Sequence, residues 1–185
     1  MFIEKLNITA DITQVLEDLK QIRKLTDWEP YNQISLVHRP DVKDPEQRWK
    51  DGTGSLFSKG KRLAREEDFT KLNKQVPPYT RQILKNLAAH ENIQIGRARF
   101  MNLGFHRGLG VHQDESVRYH LVIRTHLFAY IAQSKPGQVE AANCYHLPAD
   151  GYFYKVDTTV PHFVFNGDQK QRIHLVICPR DLKDS

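Results

Sequence analysis

The chain has 185 residues, of which 39% are hydrophobic and 26% charged, and a formal net charge of +5; this is the size and polarity of one folded domain, not of a disordered chain. No run approaches the eighteen or so apolar residues of a membrane span, and the opening MFIEKLNITADITQ lacks the apolar stretch of an export signal, so a cytoplasmic protein is expected. The basic residues are scattered and the densest run, Lys59 to Arg65, reads as a solvated loop face, which argues against nucleic acid as a partner.

In chain order, the first element is a helix over Asp11 to Leu25, where Ile12, Val15, Leu16, Leu19, Ile22 and Leu25 recur at three- and four-residue spacing and Asp11 or Thr9 can cap the start. Residues 38 to 76 hold His38-Arg39-Pro40, Asp44-Pro45 and Gly52-Thr53-Gly54, a breaker-rich stretch too long for a simple connection and a candidate lid over an active site. A second helix runs from Pro77 or Pro78 to about Ala89, with proline in the first turn and Ile83, Leu84 and Leu87 on one face. The texture then changes to short β-type runs: Ile93 to Leu103, Val117 to Arg124, Leu127 to Ala132, Gly151 to Val156, His162 to Phe165 and Arg172 to Ile177. Turns are expected at Gly108-Leu109-Gly110, Lys135-Pro136-Gly137 and Asn166-Gly167-Asp168. The pattern predicts one domain over residues 1–185. Residues 1–92 form a helical buttress with the lid, and residues 93–180 form an antiparallel jelly-roll or barrel core. Cys144 and Cys178 stand alone, without ligand spacing or a Cys-rich framework, and are expected as reduced thiols.

The chemistry gathers in the β-rich part. In His112-Gln113-Asp114 an extended backbone projects the imidazole and the carboxylate to the same side, toward a single point. His162, opening a later strand in Val160-Pro161-His162-Phe163, is the candidate third ligand. Two histidines and one carboxylate leave three adjacent positions on Fe(II), as many as a chelating co-substrate and dioxygen need. Arg172 follows His162 by ten residues and is expected on the adjacent antiparallel strand beyond the Asn166-Gly167-Asp168 hairpin, where a planar guanidinium can grip the far carboxylate of a dicarboxylate. The plainer alternative is a surface arginine closing a hairpin ion pair. Arg118 and His120 share a strand face and offer one fixed charge and one tunable donor to substrate or co-substrate; the alternative is a rim charge and a packed core histidine.

The blocks His112-x-Asp114, Arg118-Tyr119-His120-Leu121-Val122-Ile123, Gly151 to Asp157 with His162, Asn166, and Arg172-Ile173-His174-Leu175-Val176 resemble, in order and spacing, the aspartyl/asparaginyl β-hydroxylase family, including its bacterial cis-proline hydroxylases. The likeness covers roughly residues 93 to 178, with a weaker echo in Asn32 to Leu36. It implies a mainly β, double-stranded β-helix (cupin-like) fold with flanking helices. It also implies an Fe(II)/2-oxoglutarate-dependent dioxygenase in which His112, Asp114 and His162 hold Fe(II), Arg172 holds 2-oxoglutarate, and Arg118 and His120 contact co-substrate or an acidic substrate group. Animal peptidyl hydroxylases of the family lack the carboxylate ligand, whereas this chain has Asp114, as the small amino-acid hydroxylases do. The implied reaction hydroxylates a C–H of an amino acid or an Asp/Asn-type side chain, on a small-molecule or peptide substrate. A second reading keeps the fold but makes the chain a cupin-like metal-dependent binder or isomerase, with Arg172 incidental. A third, an oxygenase acting on nucleic acid, rests only on the basic charge.

Overall fold

The structure, a computed structural model, describes residues 1–135 and 138–180. In chain order the elements are β1 (Ile3–Thr9), α1 (Ile12–Ile22), β2 (Gln33–Ser35), β3 (Val37–His38), β4 (Phe57–Ser58), β5 (Lys61–Arg62), β6 (Lys71–Leu72) and α2 (Pro78–Glu91). After these come β7 (Gln94–Leu103), β8 (Arg107–His112), β9 (Arg118–Arg124), β10 (Ala129–Lys135), β11 (Gln138–Tyr145), β12 (Tyr152–Val156), β13 (His162–Asn166) and β14 (Arg172–Arg180). Two antiparallel sheets dominate, one six-stranded in the order β1-β12-β9-β14-β7-β2 and one four-stranded in the order β11-β10-β13-β8. This is the mainly β, jelly-roll architecture expected.

Both helices lie on the outer face of the six-stranded sheet. The Asp11 carboxylate accepts from the amides of Thr13 and Gln14 at 2.8 and 3.3 Å, starting α1 and turning Val15, Leu19 and Ile22 inward. They pack with Ile83, Leu84 and Leu87 of α2 on Leu121, Phe153, Leu175 and Phe100 of the sheet. The helix ends at Ile22, short of the predicted Leu25, which is exposed. Because side chains alternate along a strand, the opposite face carries Arg118, His120 and Val122 from β9 and Arg172, His174 and Val176 from β14. This face looks into the gap between the sheets. A smaller apolar cluster of Phe2, Val122, Ile131, Tyr154, Val156 and Val164 fills part of that gap.

Several expectations change. The N-terminal half contributes strands as well as helices, since β1 and β2 form the two edges of the larger sheet. Gly108-Leu109-Gly110 is not a turn but lies within β8. A Cβ on Gly108 would stand 2.8 Å from the Val164 carbonyl, so the glycine serves close approach of β13 instead. β11, with no counterpart among the predicted strands, follows Lys135-Pro136-Gly137, of which Pro136 and Gly137 lie outside the described residues. The segment 38–76 is ordered by short pieces. β3 pairs with β6, β4 with β5, and Trp49 and Phe69 are core side chains. No helix among the described residues is long and apolar enough to cross a membrane, and Cys144 and Cys178 are free.

Candidate active site

Strand register brings the first two candidate ligands together. His162 of β13 pairs with His112 of β8 across the smaller sheet, and their ring centroids are 4.2 Å apart. Asp114 falls just past the end of β8, in a turn laced to the residues before β13. Its backbone amide donates to the Thr158 carbonyl at 2.8 Å, the Gln113 side-chain amide to the Thr159 carbonyl at 3.1 Å, and the Thr158 hydroxyl to the Ser116 carbonyl at 2.7 Å. The ligand atoms of His112, Asp114 and His162 all lie within 4.8 Å of one another.

Hydrogen bonding fixes which nitrogen each ring presents. Nδ1 of His112 lies 2.7 Å from the Gly110 carbonyl and Nδ1 of His162 lies 2.9 Å from the Val160 carbonyl. A carbonyl only accepts, so both Nδ1 atoms carry the proton and both Nε2 lone pairs remain for a cation. The His162 Nε2 is 3.8 Å from the Asp114 carboxylate. Two imidazole nitrogens and one carboxylate suit a divalent first-row metal.

Arg172 does not stand on a strand next to β13. The chain leaves β13 in the smaller sheet and enters β14 in the larger one, where Arg172 pairs with Leu103 of β7. The Asn166-Gly167-Asp168 segment therefore crosses between sheets, and Arg172 approaches the gap from the facing wall. Asn166 anchors the crossing by donating to the carbonyls of Leu103, Gly104 and Lys170. Arg172 is buried, and among the described residues its side chain has no hydrogen bond or ion pair. Burial alone pulls its pKa down to about 9, so it stays charged at neutral pH. His120 lies close enough to feel Arg172, Arg118 and His162, and burial, aided by those charges, pushes its pKa down to about 3.

The model of the aspartyl/asparaginyl β-hydroxylase family matches residues 9–179. The chain belongs to that family. No curated protein sequence matches it. Among solved structures, an oxidoreductase of the 2-oxoglutarate-Fe(II) oxygenase family from Burkholderia pseudomallei is similar over 95% of this chain and 82% of its own, at 14% identity and a TM-score of 0.59. A non-heme monooxygenase, ThoJ, in complex with nickel covers 100% of this chain and 78% of its own at 11% identity and a TM-score of 0.54. A prolyl-4-hydroxylase from Pseudomonas putida covers 97% and 92% at 9% identity and a TM-score of 0.50. At these identities the likeness is one of fold. The family makes the chain a hydroxylase, and His112, Asp114 and His162 form a cluster that could hold a metal ion.

In this hydroxylase Arg118 is turned toward protein partners. One terminal nitrogen donates to Glu66 at 2.9 Å and lies 3.2 Å from Asp114; the other donates to the Ser116 hydroxyl at 2.7 Å. Glu66, buried, also lies 3.7 Å from Arg97. Glu66 and His174 are the residues near the site that sequence reasoning passed over. The period of two on β14 places His174 on the same face as Arg172 and was there to be read. Glu66 comes from a 3₁₀ turn, Glu66–Asp68, in a segment with no periodicity, and nothing local announces its partner 52 residues away.

Proposed function

We propose that this hydroxylase inserts one oxygen atom into an unactivated C–H of an amino acid or of an Asp/Asn-type peptidyl side chain, converting 2-oxoglutarate and dioxygen to succinate and CO2. The carrying observation is a buried guanidinium, Arg172, with no acid partner among the described residues, on the wall facing a convergent His112, Asp114 and His162. A buried cationic side chain without a counter-charge is a standing receptor for a carboxylate. The Nε2 atoms of His112 and His162 and the Asp114 carboxylate would hold Fe(II), and the metal would supply the activation of dioxygen and the coupled oxidative decarboxylation of the co-substrate.

The chain's own residues bind, orient and exclude. Arg172 fixes the distal carboxylate of 2-oxoglutarate, so that its keto-acid end is presented toward the ligand cluster. His120 offers a neutral donor from the same wall. Arg118 orients Asp114, its position among three protein acceptors favouring this role over direct contact with co-substrate. The segment from His38 to Gln75 serves as cover and as the source of substrate contacts. Arg62 of β5 is paired with Glu115, the neighbour of Asp114, with one contact at 2.9 Å, and Glu66 with Arg118, so the cover is fastened on both sides of the carboxylate ligand. The presence of Asp114 favours a free amino acid over a peptidyl substrate.

Purified protein supplied with Fe(II) and 2-oxoglutarate without oxygen should develop a visible charge-transfer absorption. With oxygen, a screen of free amino acids and short peptides should yield succinate in step with a product heavier by one oxygen. His112→Ala, Asp114→Ala or His162→Ala should abolish both signals while leaving the circular dichroism of the β-core unchanged. A protein that shows neither the absorption nor succinate with any substrate would be the cupin-like binder instead.

A further inference from the structure

Two buried histidines face each other behind the ligand cluster. His120 on β9 and His174 on β14 are neighbours across paired strands, with Val176 opposite His120 and His174 opposite Val122. Their Nδ1 atoms are 3.2 Å apart, and the rings meet nearly edge-on at 85°. Both side chains are buried, at 6% and 1% exposure, and the Nε2 of each has no partner among the described residues.

Burial in a wall that already holds the Arg172 charge keeps both rings neutral. It pushes His120 down to about 3 and His174 well below its usual value, with Arg172 the largest charge acting on each. A neutral imidazole carries one N–H. An Nδ1-to-Nδ1 hydrogen bond therefore exists only if one ring is protonated on Nδ1 and the other on Nε2. The pair is locked in opposite tautomers, so one ring carries a buried Nε2–H and the other a buried, bare Nε2 lone pair.

The surroundings choose between the two arrangements. His120 feels Arg172, Arg118 and His162, whereas His174 feels Arg172, His120 and His146. His120 is thus the member on the ligand-cluster side, where a carboxylate would find an N–H attractive and a lone pair repulsive. We propose that His174 is a positioning residue that donates its Nδ1–H to His120, holding His120 as the Nε2–H tautomer and so presetting a neutral donor for a co-substrate carboxylate. The inference rests on the co-substrate reading given above. It explains how the wall can bind a dicarboxylate with a single unpaired charge: the second donor costs no buried cation.

The decisive measurement needs neither metal nor turnover. Long-range ¹H–¹⁵N correlation spectra of the metal-free protein, labelled with ¹⁵N in histidine, distinguish protonated from bare ring nitrogens. His120 should show a protonated Nε2 and a bare Nδ1, and His174 the reverse, the signals assigned by their loss or shift in His174→Asn. That substitution places an amide N–H where Nδ1 stood. His120 should then keep its tautomer, and the anaerobic Kd for 2-oxoglutarate should stay within about threefold of wild type. His174→Leu, which offers no donor, should weaken 2-oxoglutarate by about tenfold or more, in the range of a lost buried hydrogen bond. A His120 protonated on Nδ1 in the wild type overturns the inference whatever the co-substrate does, as does equal binding by the Asn and Leu variants. Tautomers as stated, in a metal-loaded wild type that binds no 2-oxoglutarate, would instead bring down the co-substrate assignment, and with it the donor role.

Discussion

A buried guanidinium without an acid costs the folded state several kcal/mol relative to one in water, and among the described residues β14 keeps Arg172 in that condition. Two opposite effects should follow when the charge is removed. Arg172→Met should raise the denaturant midpoint of the metal-free protein, because an apolar side chain of similar reach tolerates the site better than an unpaired cation. The same variant should weaken 2-oxoglutarate by about a hundredfold, the loss of a bidentate charge-assisted pair. Arg172→Lys should recover only part of the affinity, since an ammonium keeps the charge but not the fork. A midpoint that fell on Arg172→Met would mean the guanidinium is paired within the protein, and the receptor argument would fail. Glu66 acts from the other side of the cluster. It shares the Arg118 charge with Asp114, so Glu66→Gln leaves Arg118 less neutralised beside the ligands and more repulsive to a divalent ion. Mn(II) affinity, titrated without oxygen, should drop by about tenfold, as for other partners that orient ligands. An unchanged Mn(II) Kd would leave Glu66 with a packing role only.

At the scale of elements, the two helices depend on one unusual cap. α2 begins at Pro77-Pro78, and Pro77 offers no side-chain cap to the first turn. The missing acceptor comes from α1, where buried Asp18 receives both the amide and the hydroxyl of Thr80 at 2.7 Å. Asp18→Ala should therefore destabilise the protein by about 2 kcal/mol, the scale of a lost cap plus a stranded buried donor. Urea denaturation followed by circular dichroism measures this; a change under about 0.5 kcal/mol would show the cap to be dispensable. The helices themselves were legible because a 3.6-residue period survives in Val15, Leu19 and Ile22. The convergence of His112, Asp114 and His162 was legible because residues two apart on an extended chain project to one side. Strand β8 was not, since two glycines there signal a turn unless the close approach of β13 is known. Nor was the sheet to which β14 belongs, because pairing with β7 and β9 joins residues 49 to 86 positions apart and leaves no mark in local pattern. Arg172 thus stands in the larger sheet, paired with Leu103, and not on the strand beside β13 that the hairpin reading implied.

The whole molecule should be sensitive to mild acid, and for a reason distinct from ordinary carboxylate titration. In the unfolded chain His120 and His174 take up a proton near 6.5, whereas in the folded protein burial holds His120 neutral down to about 3 and His174 well below its usual value. Between those limits the unfolded state binds more protons than the folded one, so stability falls as pH drops through 6.5 and neither ring contributes above about pH 7. Each ring accounts for at most ~1.4 kcal/mol per pH unit below 6.5, or about 4 kcal/mol for the pair between pH 6.5 and 5, and water penetration reduces that bound. His162, also lowered mainly by burial, acts in the same direction in metal-free protein. Carboxylates that the fold holds low, Glu91 beside His90 and Lys155 and Asp150 beside Lys5, shift in the same direction for a different reason, neighbouring charges favouring the ionised form, and in a lower pH window. Their stabilisation is complete above the ordinary carboxylate range and is lost only on acidification through it. The two contributions therefore separate on the pH axis. Denaturant midpoints of the metal-free protein should be level from pH 8 to 7, decline from 6.5 to 5, and fall again below 4.5. His174→Asn removes one of the buried titrating rings and should make the first decline shallower without moving the second. A flat profile between pH 7 and 5 would mean that His120 and His174 are reached by solvent in the folded protein, and the low-dielectric wall that gives Arg172 its pull on a carboxylate would not exist.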